Sequence, residues 1–185
     1  NDIRLGVPIG INIENGVAAM ALAHLNGVTD EEIRQGMASF RGVDRRFDFK
    51  IKTDRLVFLS DYAHHPAEIA QSVKSIREED NGYLPTHLYT RTRDFYKDFA
   101  DSLSLLDEVI LTEIYPAREQ PIPGVSSQLI YDNLRPGIEK CICRKEDIPD
   151  LLSKKPVEVL IVLGAGDLDN YVPSIARLLE QRSKA

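Results

Sequence analysis

Apolar positions recur along this chain at two different spacings, and the spacing changes near Phe47. Upstream, the Ala-rich stretch Asn15–Leu25 predicts a helix that stops at the pair Asn26-Gly27, a good C-terminal cap. Thr29, with Glu32 three residues on, spells a capping box, and the helix it opens is expected to run to about Phe40. The polar, glycine-containing Arg41-Gly-Val-Asp-Arg-Arg46 reads as a hinge. Phe47, Phe49 and Ile51 then alternate with charged residues, so Phe47–Lys52 is expected to be a half-exposed strand leading into the apolar run Leu56–Leu59.

Beyond that point the two periodicities take turns. Helices are expected over Ala67–Ile76, Arg91–Leu106, from a Ser126 cap to about Leu134, over Glu146–Leu152 and over Val172–Gln181. Strands are expected over Glu108–Thr112, Lys140–Cys143 and Val157–Leu163, with a proline-rich loop over Tyr115–Gly124. Strands alternating with helices across short connections predict an α/β fold: a Rossmann-like, mostly parallel sheet flanked by helices. It is preceded by a helical tail belonging to another domain.

Composition narrows the class. The chain has 185 residues, 43% of them hydrophobic and 28% charged, the balance of an ordinary soluble globular protein. A formal net charge of −6 argues against a nucleic-acid partner, and no apolar stretch approaches the ~20 residues of a membrane span. No signal peptide is visible, and Asn1–Pro8 carries no start signal, so the expectation is a segment of a longer protein. Cys141 and Cys143 are two apart on one face of a strand, neither a C-x-x-C motif nor a zinc knuckle. They are expected to be reduced packing residues of a cytoplasmic protein.

The candidate chemistry gathers in three stretches. Ser60-Asp61-Tyr62-Ala63-His64-His65-Pro66 follows an apolar strand and ends in a helix-opening proline, a strand-to-helix turn at the sheet edge where ligands bind. Asp61 suits ribose hydroxyls or a plain helix cap. His64 and His65, read as neighbours on a helix, would point ~100° apart, which disfavours a shared metal ion. In His87-Leu88-Tyr89-Thr90-Arg91-Thr92-Arg93, the two arginines stand at a helix entrance with Thr90 or Thr92 as cap, a place for a carboxylate or phosphate. Gly164-Ala-Gly-Asp167 reads as a sharp turn lining the same edge. His24, within the first helix, reads as structural. The chain has no P-loop and no nucleophile elbow.

Taken in order, Asp61-Tyr-Ala-His-His-Pro66, Tyr89-Thr-Arg-Thr-Arg93, Tyr115-Pro-Ala-Arg-Glu-Gln-Pro-Ile-Pro-Gly124 and Gly164-Ala-Gly-Asp167 resemble the C-terminal part of the Mur ligases. The resemblance extends to Asn12-Ile-Glu-Asn15-Gly-Val-Ala-Ala and Phe40-Arg-Gly-Val-Asp-Arg-Arg-Phe47, so it covers essentially the whole chain. It implies that residues 1–46 are the last helices of a truncated central ATP-binding domain and that 47–185 form the family's C-terminal Rossmann-like domain. The implied reaction is amide formation in peptidoglycan synthesis. ATP phosphorylates the muramoyl carboxylate of UDP-N-acetylmuramate, and the amine of L-alanine attacks the acyl phosphate. ATP and Mg²⁺ would be held mainly by the central domain.

The resemblance also implies roles for individual residues. Asn12 and Asn15 match adenine contacts, Arg46 an arginine near the nucleotide, and Asp61 the ribose-binding aspartate. Tyr62, His64, His87 and Arg91 match positions around the incoming amino acid, with His64 and Arg91 as the catalytic candidates and Arg91 on the alanine carboxylate. Three positions depart from the family pattern: Ile11 and Leu88 stand where a histidine and an arginine are common, and Glu78-Glu-Asp-Asn-Gly-Tyr-Leu-Pro85 replaces an apolar strand. The alternatives are a ligase of the same family that recycles the murein tripeptide and a non-catalytic Mur-like binding module. With no P-loop, the chain alone is expected to bind nucleotide weakly and to turn over nothing.

Overall fold

A computed structural model describes residues 3–6, 10–77, 85–86 and 89–183, and divides the chain into two compact units, Asn1–Asp44 and Arg45–Ala185. The first unit is helical: α1 spans Gly10–Leu25 and α2 spans Asp30–Ser39. α1 starts ahead of the Ala-rich stretch that predicts it. The capping box of α2 is formed in full, the Thr29 side chain accepting from the Glu32 N–H while the Glu32 carboxylate accepts from the Thr29 N–H at 2.9 Å. Gly6 donates its N–H to the Met37 carbonyl at 3.0 Å, and a Cβ at Gly6 would lie 1.8 Å from the Phe40 carbonyl oxygen. Only glycine permits that approach.

The second unit carries the alternating pattern. Its strands are β1 (Asp48–Lys52), β2 (Val57–Asp61), β3 (Pro85–Thr86), β4 (Glu108–Leu111), β5 (Glu139–Ile142) and β6 (Val159–Gly164). Its helices are α3 (Pro66–Arg77), α4 (Tyr89–Leu103), α5 (Ser127–Asn133), α6 (Ile148–Ser153) and α7 (Val172–Ser183). Among the described residues, four strands form one sheet in the order β1-β2-β6-β3, and β4 and β5 pair separately. Every pairing is parallel except β1 with β2, so the sheet is mostly parallel, with an antiparallel edge.

β6 lies between β2 and β3, and Val159–Leu163 is buried throughout, as a strand covered on both faces requires. Phe58, Leu160, Ile148, Leu152 and Ile175 pack in one core cluster, each at most 1% exposed. Cys141 and Cys143 are free thiols, partly buried against that cluster. The expected helix over Glu146–Leu152 is a 3-10 turn over Lys145–Asp147 continuing into α6. No helix among the described residues is long and apolar enough to cross a membrane.

Candidate functional site at the sheet edge

The register of the sheet brings the candidate stretches together. Asp61, the last residue of β2, stands opposite Leu163 of β6, and Gly164 stands opposite Thr86 of β3. The turns after β2 and β6 therefore leave the sheet side by side at its carboxyl edge, where an open α/β sheet binds its ligands. Gly164 makes its turn at φ 123°, a conformation that L side chains rarely adopt.

Asp61 is only 8% exposed. Its carboxylate accepts from the Ser72 hydroxyl on α3 and from the backbone N–H groups of Phe47 and Ala63. Burial dominates and raises its pKa above the ordinary 3.8, opposed by those hydrogen bonds and by the Arg46 guanidinium. It is thus no N-cap of α3, which begins at Pro66. The sign of the pH dependence follows. The native state holds a proton that the unfolded chain releases, so stability contributed by this group falls as pH rises from 3.8 through the raised value. Asp61→Asn cannot ionise. In melting experiments between about pH 3 and pH 7 its stability relative to wild type is expected to rise across that interval. A difference that stays flat with pH would contradict the assignment.

Tyr62 and His64 sit just beyond Asp61, outside any helix. Their rings meet edge-on with centroids 5.1 Å apart, and the guanidinium carbons of Arg45 and Arg46 lie 4.9 and 5.0 Å from the Tyr62 ring centre. The His64 Nδ1 lies 2.9 Å from the Tyr62 carbonyl and 3.3 Å from a Glu68 carboxylate oxygen. Both neighbours are acceptors, so Nδ1 carries the proton and Nε2 is the lone-pair atom of the neutral ring. The His65 ring packs on Phe95, 5.3 Å between centroids, where α4 departs from helical geometry. The helical reading of the His pair is therefore corrected. Pro66 is the first helical residue, and a residue before proline is biased away from the helix. The two imidazoles nevertheless have separate partners.

The Arg91 guanidinium reaches the His64 carbonyl at 3.4 Å, which joins the second stretch to the first. α4 begins at Tyr89, two residues earlier than expected, with Thr90 and Thr92 inside it and neither acting as its cap. A carboxylate from the proline-rich loop does that work. Glu119 accepts from the Thr90 N–H at 2.9 Å and from its hydroxyl at 2.6 Å. Arg93 turns instead to its neighbour Asp94, with Nε 2.7 Å from a carboxylate oxygen. His87 lies outside the described residues. Asn12 and Asn15 are on α1, in the other compact unit.

Four participants were not singled out in the sequence. Arg45 pairs with Asp169 at 3.2 Å and receives the Tyr62 N–H on its carbonyl at 2.7 Å. Lys145 pairs with Asp167 at 2.6 Å, bracing the Gly164–Asp167 turn. The other two are Ser72 and Glu119. Each joins residues well separated in sequence, so no local spacing announces it.

An open, mostly parallel sheet flanked by helices, with an antiparallel strand at one edge, is a Rossmann-like α/β architecture. The chain belongs to the Mur ligase family: residues 45–166 match the model of the Mur ligase, glutamate ligase domain. It is 72% identical over 186 residues to the UDP-N-acetylmuramate–L-alanine ligase of Phocaeicola vulgatus, covering 98% of this chain and 41% of that protein. The ligase of the same name from Parabacteroides distasonis is 53% identical over 183 residues, covering 96% of this chain and 39% of that protein. The crystal structure of UDP-N-acetylmuramate–alanine ligase from Thermotoga maritima superposes with a TM-score of 0.79 at 24% identity. That match covers 97% of this chain and 40% of that one, and it establishes the shared fold. The chain thus spans about two fifths of the length of these relatives.

Proposed function

We propose that this chain is the C-terminal part of an ATP-dependent ligase that joins L-alanine to UDP-N-acetylmuramate in the cytoplasm. A carboxylate is a poor electrophile at neutral pH, so amide formation requires activation by phosphoryl transfer from ATP. In such chemistry the protein contributes mainly position and electrostatic stabilisation. ATP and Mg²⁺ would be gripped mainly by a central domain, of which residues 1–46 form the last helices, and 47–185 would supply the remaining contacts. Asn12 and Asn15 would face adenine. The exposure of Ile13, Val17, Leu22 and Leu25 along α1 agrees with a helix that has further protein to pack against.

The observation that carries the reading is the Asp61–His64–Arg91 arrangement on one sheet edge. Asp61 is buried and held by three donors, suited to receive ribose hydroxyls, with Arg46 nearby for the nucleotide. Arg91, joined to the His64 carbonyl, offers the guanidinium that a small amino acid's carboxylate needs. His64, its Nδ1 proton engaged, presents Nε2 to the ammonium that must lose a proton before it attacks. Tyr62 and His87 would complete the amino-acid pocket.

The test is a ligation assay on the full-length protein with UDP-N-acetylmuramate and ATP, offering L-alanine, glycine, L-serine and the murein tripeptide. The expected result is phosphate release coupled to L-alanine addition, with L-alanine the preferred acceptor. Preference for the tripeptide would transfer the chain to the recycling ligases. No turnover with any acceptor would favour a binding module.

A further inference from the structure

The loop between β4 and α5 delivers a carboxylate to the start of α4. Glu119 closes a turn in which its N–H donates to the Pro116 carbonyl at 2.7 Å. Within that turn Ala117 sits at φ 48°, a left-handed conformation that disfavours any residue with a Cβ. The strained turn aims Glu119 at the first residues of α4, where Thr90 donates its N–H and its hydroxyl and Tyr89 donates its N–H. The free amide donors and the positive end of a helix are the features that capture anions, and here one internal carboxylate takes those of Tyr89 and Thr90. The Thr90 hydroxyl first, then the backbone donors and nearby Arg91, hold the Glu119 carboxyl below its ordinary range, so it remains charged at neutral pH.

We propose that Glu119 is a specificity-determining residue: it fills the anion-binding start of α4, leaving Arg91 to receive a single substrate carboxylate, so that amino acids carrying a second carboxylate are excluded. The inference rests on the reading of Arg91 as the contact for the amino-acid carboxylate. An acidic side chain arriving beside Arg91 would find the Tyr89 and Thr90 N–H groups already bonded to Glu119 and a fixed negative charge next to them. Both penalties fall on acidic amino acids alone, since a methyl side chain meets neither. Discrimination of this kind works by repulsion as much as by fit.

The experiment compares L-alanine with L-aspartate as acceptors for the full-length ligase, by kcat/KM or, for aspartate, by its inhibition constant against L-alanine. Glu119→Gln keeps the size and removes the charge. It is expected to lower the alanine-to-aspartate ratio by about tenfold or more. Glu119→Asp keeps the charge and should hold the ratio within about threefold of wild type. Thr90→Val loosens the contact but leaves the carboxylate, so it should weaken both amino acids together. A Glu119→Gln enzyme that loses both activities by the same factor, with the ratio unchanged, would reduce Glu119 to a structural tie and overturn the proposal. An Arg91→Ala enzyme with unchanged KM for L-alanine would instead remove the reading beneath it.

Discussion

Replacing Arg91 by alanine in the full-length ligase is expected to raise KM for L-alanine by about 10- to 100-fold while KM for ATP stays within about twofold. The size follows from the kind of contact. A hydrogen bond to a charged group contributes about 1.5–3 kcal/mol, and each ~1.4 kcal/mol is tenfold in affinity. The selectivity follows from position: Arg91 lies in the first turn of α4 and reaches the His64 carbonyl, whereas Asp61 terminates β2. Lysine at this position should recover only part of the loss, since it keeps the charge and gives up the planar fork. Steady-state kinetics with each substrate varied in turn checks both statements. Equal increases in the two KM values would mean that Arg91 supports the fold of the edge without meeting the amino acid.

Asp61→Asn is the complementary case. The amide oxygen can still accept from Ser72, one of the three donors, but the charged acceptor for ribose hydroxyls is gone. KM for ATP is expected to rise about tenfold, with KM for L-alanine within about twofold. The variant is relieved of ionising a buried carboxyl, so its stability relative to wild type is expected to be greater at neutral pH than at acid pH. A rise in both KM values by similar factors would instead identify Asp61 as a structural anchor.

Much of the fold could be read from local pattern because local pattern caused it. Val57–Leu59 and Val159–Leu163 are apolar without interruption, and they lie in the adjacent parallel strands β2 and β6, largely buried. Thr29 and Glu32 specify their helix start through contacts three residues apart. The start of α4 was less legible. Its first turn is satisfied by Glu119, 29 residues further along, and a proline-rich loop does not reveal where it will set down a carboxylate. Arg45 escaped notice for a related reason. Its backbone adopts φ 61°, and its guanidinium joins Asp169 across the edge, neither of which any spacing encodes. The helical reading of the histidine pair fails at Pro66, which opens α3 and biases the residue before it away from the helix.

The division of labour along the edge, ribose at Asp61 and amino acid at Arg91, is tested most directly by crossing the two variants in one experiment. KM for ATP and for L-alanine are measured side by side in full-length Asp61→Asn and Arg91→Ala enzymes. The expected result is a clean exchange, with Asp61→Asn shifting ATP alone and Arg91→Ala shifting L-alanine alone. Two variants that each shift both substrates by similar factors would contradict it.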